Sequence, residues 1–443
     1  MPQARRVALR LLDAGFETWF VGGCVRDMLA GEIPHDVDLA TAAHPEEVLA
    51  LFPSARAVGA AFGVALVEEE GHHFEVATFR EDGTYSDGRR PDSVRFATAR
   101  EDVRRRDFTV NGLLMDPRTG AVIDHVGGLN DWNDGLIRAI GDPRVRFAED
   151  ALRLLRAVRF AATKQMRIET GTWQALCEQA PLIERVSAER IRMELDRMWA
   201  SPFRMRALDM LDKSGLLGVI LPELGAMKGC AQPPRFHPEG DVWEHTVLVF
   251  EHLPPDAGLP LAWAALLHDV AKPAVRSVDA NGEAHFYGHD RLGAEMAGSI
   301  LRRLKYPNAI VEAVQFMVAR HMQWGQIDSM RLGKLRLWMS VPTMDDEMLL
   351  HRADCLASHG ALDKLAYVRE RREDMAAASV RPDPFVTGRD LIALGLRPGP
   401  AFKRWLEEAY VEQLEGRFSD REDALAWLRR CTADAEKDGV PEP

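Results

Sequence analysis

The chain has 443 residues, 46% of them apolar and 28% charged, with a formal net charge of −12. That is enough length for about two to four domains of ordinary globular composition. The net acidity by itself argues against a nucleic-acid partner, but the charge is uneven: 138–206 is a basic, helical stretch, and much of the excess acid lies beyond Pro222. The five cysteines (Cys24, Cys177, Cys230, Cys355, Cys431) are scattered with no CxxC pair, which excludes a disulfide framework or a zinc ribbon and fits a reducing cytoplasm. Met1 to Leu12 is basic and amphipathic, too short and too charged for a signal peptide. No apolar run approaches membrane-spanning length.

The pattern predicts an α+β chain whose first 140 residues mix strand and helix and whose remainder is helical. Thr18 to Gly22 reads as a short apolar strand entering a Gly-Gly turn, and Cys24 to Ala30 as a short helix. The next strand carries Asp36 and Asp38. Strand side chains alternate faces, so these two carboxylates share one face while Val37 and Leu39 fill the other. Further strands are expected at 62–68, 73–79 and 121–124. The polar, Gly-containing stretch from Thr78 to Pro91 reads as a mobile loop beside an active site. Asp142-Pro143 is an N-cap and first-turn proline pair that opens a helix. Gly225 to Pro238 is rich in Gly and Pro and is the expected linker. A second helical block runs from Asp241 to about Gly360, and Arg381-Pro-Asp-Pro384 marks a further boundary. There is no internal repeat.

Several groups in the first part carry chemistry. Gly22 and Gly23 remove two side chains where a phosphate needs close approach to backbone N–H groups. Asp36 and Asp38 can hold two Mg²⁺ ions that activate an attacking hydroxyl and clamp a nucleoside triphosphate. Glu75, on an apolar strand, is costly there unless it faces a metal or a partner, and is a candidate third ligand. The run from Arg104 through Arg105 and Arg106 to Asp107 and Asn111 offers cations for a triphosphate and a carboxylate for a ribose hydroxyl. Asp150 and Arg153 are spaced i,i+3, which on one helix makes their side chains adjoin. Such a pair presents an acceptor beside a donor. Cytosine (N4–H₂ beside N3) and adenine (N6–H₂ beside N1) complement that order, whereas uracil and guanine present the reverse. A site built to hydrogen-bond rejects the wrong base because its own buried groups are left unpaired.

GGxVRD with DxD, RRDFTxN, the turn from Asp124 to Gly128, EDxxRxLRAxRF, and the segment Glu189 to Leu195 occur in that order. Over roughly residues 15–225 this set resembles the class II tRNA nucleotidyltransferases, that is, the CCA-adding enzymes and bacterial poly(A) polymerases. The resemblance implies a nucleotidyltransferase head with a small mixed sheet (1–140), an all-α neck (141–228) that reads the base and binds RNA, and a helical body and tail that hold tRNA. It implies catalysis by Asp36, Asp38 and Glu75 with Mg²⁺ on the two aspartates. Nucleotide binding would fall to Gly22, Gly23, Arg26, Arg105, Arg106, Asp107, Asn111, Asp150, Arg153, Arg156 and Arg159. Within these, Arg26, Arg105 and Arg106 would take the triphosphate, Asp107 the ribose, and Asp150 with Arg153 the base. Poly(A) polymerases of the family tend to carry a basic pair where this chain has Ala60 and Ala61, and CC-only enzymes tend to have a shortened loop after Phe79. Both features favour full CCA addition from CTP and ATP to the tRNA 3′ end by a cytoplasmic enzyme, with an A-adding enzyme or a poly(A) polymerase as the alternative.

The second block carries His245, His268-Asp269 and Asp354 in the order H…HD…D, with His289 and His321 available for a second ion. Imidazoles with carboxylates suit divalent transition metals such as manganese, nickel, cobalt or iron. The set resembles the HD phosphohydrolase superfamily over about 238–360. Lys272 could assist a phosphate or end its helix before Pro273. His285, His351 and His359 read as surface or capping residues. The tail, 381–443, reads as two or three short amphipathic helices with a turn at Pro398-Gly399-Pro400. A rival from a different class is a metal phosphohydrolase whose head only grips RNA, and a third is an RNA-binding regulator with both sites silent; intact Asp36, Asp38 and Glu75 weigh against both.

Overall fold

The computed structural model describes residues 2–34, 36–58, 63–83, 93–376, 382–396 and 398–437. Ala60, Ala61, Arg381 and the loop residues 84–92 lie outside the described residues. The chain divides into two compact units, Met1–Gly225 with Ile300–Tyr306, and Ala226–Ser299 with Pro307–Pro443.

The first unit begins α1 (Pro2–Asp13), β1 (Thr18–Val21), α2 (Gly23–Leu29), β2 (Asp38–Thr41), α3 (Pro45–Leu51), β3 (Arg56–Ala57), β4 (Val64–Glu69) and β5 (His72–Thr78). It continues with β6 (Arg80–Asp82), β7 (Val94–Phe96), α4 (Ala99–Arg104), β8 (Leu113–Met115), β9 (Val122–Asp124) and α5 (Gly128–Asn133). Seven strands form one mixed sheet in the order β3-β4-β5-β2-β1-β8-β9. β1 runs antiparallel to β2 and β8, while β2 runs parallel to β5. Alternation sends β1 and β2 side chains to two cores. Phe20 and Leu39 join Val7, Leu11 and Val76 on one face; Val21 and Ala40 join Phe79, Val103 and Leu114 on the other. The strand expected to hold both aspartates starts at Asp38, and Asp36 stands in the bend before it. The alternation still extends through it, with Asp36 and Asp38 exposed and Val37 and Leu39 buried.

The head ends with β10 (Leu136–Ile137), and the neck follows with α6 (Pro143–Glu149), α7 (Leu152–Thr163), β11 (Arg167–Ile168), α8 (Thr170–Gln179), α9 (Ala188–Trp199), α10 (Arg204–Lys213), α11 (Leu216–Ile220) and α12 (Pro222–Gly225). Asp142 caps α6, its side chain accepting from Arg144 N. The neck is not wholly helical, because β10 and β11 form a short parallel pair. Asp150 and Arg153 do not share a helix. Asp150 is extended (φ −143°, ψ 102°) at the end of α6, and α7 starts afresh at Leu152.

The second unit contains α13 (Val242–Glu251), α14 (Leu259–Leu267), α15 (Lys272–Val275), the hairpin β12 (Ser277–Val278) and β13 (Ala284–His285), α16 (His289–Arg303), α17 (Asn308–Arg320), α18 (Leu332–Met339), α19 (Met344–Ala357) and α20 (Asp363–Ala376). Residues 300–306 group with the first unit. Every residue of α14 from Leu261 to Leu267 is buried, as expected of a helix apolar on all sides; α13, α17 and α19 surround it. The tail helices α21 (Gly388–Ala393), α22 (Pro400–Leu414) and α23 (Arg421–Lys437) have their own core around Leu391, Ala409 and Leu428. No helix among the described residues is long and apolar enough to cross a membrane.

One turn in the head shows how a local motif fixes the sheet edge. Asp124 Oδ1 accepts from the backbone N–H groups of Val126, Gly127 and Gly128, and Oδ2 accepts from Leu129 N, all within 3.0 Å. Partial burial would raise this carboxyl, but the four N–H donors overrule it and hold it below the usual range. A side chain at Gly128 would stand 2.2 Å from the Thr109 carbonyl oxygen, so only glycine fits. Asp124→Ala should destabilise the head by about 1–3 kcal/mol, as loss of charged hydrogen bonds does, measured by urea unfolding at pH 7. Since the folded carboxyl titrates below its unfolded value of about 3.9, its contribution is complete above that pH. It is lost as the pH falls through the folded value, so wild type and variant should converge in acid.

Candidate active site and metal centre

One cavity of about 390 Å³ in the first unit gathers most of the expected residues: Gly22, Gly23, Arg26, Asp38, Arg105, Arg106, Asp107, Asn111, Asp150, Arg153 and Arg156. Leu152, Phe160 and Arg190 complete its lining. Six guanidiniums therefore face three carboxylates, a balance that favours an anion. Gly22 sits at φ 75°, in the left-handed region, and a side chain there would reach within 3.7 Å of Asp38 Oδ2 and 3.6 Å of an Arg106 nitrogen.

Each arginine is held from behind. Asp102, buried on α4, accepts from Arg105 at 2.7 Å and from Arg106 at 2.9 Å. Asp107 Oδ2 pairs with Arg156 at 2.7 Å, and its Oδ1 accepts from Asn111 Nδ2 (2.7 Å) and Phe108 N (2.8 Å). Burial would push Asp107 up, yet the Arg156 charge and the Asn111 hydrogen bond hold it well below the carboxylate range. Both of its oxygens are thus engaged, and the buried Asn111 Oδ1 beside it has no hydrogen-bond donor among the described residues. Arg26 is buried with its guanidinium 4.8 Å from the centre of the Phe160 ring, and Arg156 lies 5.2 Å from the same ring. Arg159 does not line the cavity; it pairs with Glu194 at 2.5 Å.

Asp150 and Arg153 both reach the cavity but are anchored separately. The Arg190 guanidinium forks onto Asp150 at 3.1 and 2.7 Å. Arg153 donates to Glu149 (2.6 Å), Arg146 O (2.9 Å) and Arg105 O (3.2 Å). Spacing in sequence could not reveal the break between α6 and α7, nor a partner 40 residues away. Asp102, at i,i+3 and i,i+4 from its arginines, did carry a helical signal.

Of the three carboxylates expected to hold a metal, Asp38 lines the cavity; Asp36 and Glu75 do not line it but lie near enough to Asp38 to act on its charge. The pairing of Leu39 with Val76 brings Asp38 alongside Glu75. Desolvation raises the Asp38 carboxyl first, and Glu75 and Asp36 raise it further. Three carboxylates that repel one another are a fitting donor set for a hard cation such as Mg²⁺.

The second unit assembles all six expected HD residues. His268 follows α14, Asp269 comes next, and α13, α16 and α19 supply His245, His289 and Asp354; His321 follows α17. Among the described residues, His245, His268 and Asp354 form one group able to hold a metal, and Asp269, His289 and His321 another; His237 and Glu239 form a third with His245, whose Nδ1 is already bonded to Glu239. Asp269 joins the first two: Oδ2 lies 3.2 Å from His268 Nε2 and Oδ1 lies 3.4 Å from His289 Nε2. Every imidazole turns Nε2 inward, because its Nδ1 is bonded elsewhere. His268, His289 and His321 bond the carbonyls of Ala265, Phe286 and Val318 at 2.9, 2.7 and 2.6 Å. His245 bonds the Glu239 carboxylate at 2.6 Å, a partner that the sequence reading passed over. Such outer bonds fix the tautomer and ring plane of a metal ligand. Burial and the neighbouring His268 push His321 down to about 4, which keeps it neutral, the ligating form. His245 loses affinity for its proton by burial, but Asp354 and Glu239 more than restore it, to about 9; a cation would take that proton's place. His351, expected at the surface, instead stacks on Trp324 with ring centres 4.1 Å apart.

Residues 18–138 match the family described as "Poly A polymerase head domain", 165–227 the "Probable RNA and SrmB- binding site of polymerase A", and 241–358 the "HD domain". Segment by segment, the chain is thus similar to a poly A polymerase head, to the probable RNA-binding site of that polymerase, and to an HD domain. It is 45% identical to a CCA-adding enzyme of Lactococcus lactis over 217 residues, covering 48% of this chain and 54% of that one. A CCA-adding enzyme of Geobacillus stearothermophilus is 43% identical over 215 residues. The match spans about half the length of these curated relatives. The crystal structure of the Bacillus stearothermophilus CCA-adding enzyme in complex with CTP aligns over 99% of this chain and 98% of that one, with a TM-score of 0.73 and 27% identity. The Thermotoga maritima CCA-adding enzyme complexed with tRNA shares the fold, with a TM-score of 0.61 at 17% identity.

The two ligand groups predict metal stoichiometry. Protein loaded with manganese or nickel and then desalted should retain about two ions per chain, and Asp269→Ala no more than about one, since Asp269 lies against His268 of one group and His289 and His321 of the other. Elemental analysis of the two proteins checks this.

Proposed function

We propose that this chain is a template-independent tRNA nucleotidyltransferase. It adds C and A from CTP and ATP to the 3′ end of tRNA and releases pyrophosphate, and its HD centre is a second, phosphoester-hydrolysing site. The observation that carries the first reading is the single cavity that unites Asp38, the anchored arginines and the two residues expected to read the base. The similarity to CCA-adding enzymes supports it. A cytoplasmic setting accords with five free cysteines.

In this reading Arg26, Arg105 and Arg106 grip the triphosphate, and Asp102 keeps the last two aimed. Gly22 and Gly23 let the phosphates approach the backbone. Asp36, Asp38 and Glu75 would hold magnesium. When bound, that ion lowers the pKa of the tRNA 3′ hydroxyl and steadies charge on the α-phosphate. The ribose hydroxyl finds its acceptor in Asn111 Oδ1, while Asp107 holds Asn111 and Arg156 in place. Asp150 accepts the exocyclic amine of cytosine or adenine and Arg153 donates to the adjacent ring nitrogen. Because Arg190 and Glu149 hold these two side chains separately, the spacing between acceptor and donor is preset, and uracil or guanine would leave both unpaired. In the HD centre the bound ion would be manganese, nickel, cobalt or iron, supplying a hydroxide nucleophile at neutral pH.

The direct test supplies tRNA lacking its 3′ end with each nucleoside triphosphate separately and then with CTP plus ATP. Addition of A alone to a CC end would replace the full reading with an A-adding one. Asp38→Ala should abolish addition while tRNA still binds; single-turnover incorporation within about tenfold of wild type, only about 1.4 kcal/mol, would remove the metal assignment. Asp150→Ala should relax selection against UTP by about 1–3 kcal/mol, and Arg190→Ala should do so in the same direction, because it frees Asp150 to move. Competition assays with CTP and UTP measure both. The HD reading is tested by hydrolysis of a model phosphodiester and a 2′,3′-cyclic nucleotide by protein loaded with each metal in turn.

A further inference from the structure

Gln232 stands out among the residues around the HD centre. It belongs to the loop before α13, is only 6% exposed, and its Oε1 accepts from Lys272 Nζ at 2.6 Å. Lys272, itself 6% exposed, is bonded at the same time to Asp269 Oδ2 at 2.7 Å. An ammonium group has donors only, so the carboxamide cannot be flipped: the oxygen must face Lys272 and the –NH₂ must face away. That –NH₂ is buried and has no hydrogen-bond acceptor among the described residues. Buried amide donors are nearly always paired, and an unpaired one calls for a specific explanation. Lys272 gives two of its three donors to Gln232 and Asp269 and stands 5.5 Å from the centre of the Phe286 ring, with no further hydrogen-bond acceptor among the described residues.

We propose that Gln232 Nε2 and Lys272 Nζ form an oxyanion-binding subsite beside the HD centre, which takes the non-bridging oxygens of a phosphoester. This rests on the reading of that centre as a phosphohydrolase. The chemistry is complementary: two donor groups on fixed side chains meet an anion, and the ligand satisfies the amide that the protein leaves unpaired. Asp269 couples the subsite to the metal positions, since one carboxylate holds Lys272 and reaches both ligand groups. Gln232 is thus a substrate-positioning residue, whose effect falls on phosphate affinity and not on the metals.

The decisive variant is Gln232→Glu. It is isosteric and keeps an oxygen for Lys272, so a purely structural role predicts no loss, but it replaces the free donor with a repelling carboxylate oxygen. Gln232→Ala serves as a second variant that removes the donor without adding charge. Both are compared with wild type after loading with manganese. The readouts are bound metal, thermal midpoint, calorimetric affinity for inorganic phosphate, and kcat and KM for bis(p-nitrophenyl) phosphate. The expected result is unchanged metal content and midpoint, with phosphate affinity reduced and KM raised at least about tenfold in Gln232→Glu. Unchanged phosphate affinity in both variants, with an active wild type, overturns the subsite while leaving the HD reading intact. Loss of bound metal in Gln232→Ala also overturns it, by making the residue a structural support. A wild type that neither binds phosphate nor hydrolyses the ester overturns the HD reading and the subsite with it.

Discussion

Positive charge is crowded into the head cavity, and the carboxylates behind it are what the rest of the site depends on. Guanidiniums that share one cavity repel each other and lose hydration, so each would turn toward solvent unless held. Asp102 holds Arg105 and Arg106, Asp107 holds Arg156, Glu149 holds Arg153, and Asp150 engages Arg190. A buried ion pair is weak evidence of stability, because desolvation opposes the Coulombic gain. Its value here is geometric. Donors fixed before the substrate arrives need no reorganisation when charge develops. Helix α4 contributes Asp102 and presents its arginines just past its end, so one short element sets both the grip and its support.

The HD centre solves the opposite problem. Asp269 is a buried carboxylate and Asp354 a partly exposed one, both pressed among imidazoles, and α14, apolar on every side, leads directly into the first pair of ligands. Histidine and aspartate hold one another in that setting through short contacts, such as His245 Nε2 to Asp354 Oδ1 at 3.2 Å. The outward bonds from each Nδ1 decide the result. With those nitrogens committed to Ala265, Phe286, Val318 and Glu239, the four Nε2 atoms turn toward one another and toward Asp269 and Asp354.

The two sites differ in how they use fixed side chains. In the head, five of the supporting bonds are arginine–carboxylate ion pairs, suited to a large polyanion that must be gripped at several points. In the HD centre, the supports are mostly backbone carbonyls, which cannot titrate or rotate, and this suits a site that must keep small interligand distances. Both arrangements hold the reactive side chains through hydrogen bonds that the protein supplies itself.

Much of this was legible in the sequence because it is local. The strand–Gly-Gly–helix order around Gly22, the alternation that exposes Asp36 and Asp38, the Asp142 cap and the H…HD…D order all follow from short-range periodicity and residue chemistry. So does the α+β class, with strands in the head and helices beyond. What only the tertiary structure decided lies in long-range pairing. It broke the chain at Asp150, so that Asp150 and Arg153 meet the cavity from separate anchors, Arg190 and Glu149. It engaged both oxygens of Asp107, left Asn111 Oδ1 without a donor among the described residues, and turned His351 onto Trp324. It also placed Gln232 against Lys272, 40 residues on. The physical reason is the same in each case: periodicity tells which face a side chain occupies, whereas its hydrogen-bond partner is chosen by whichever distant element packs there.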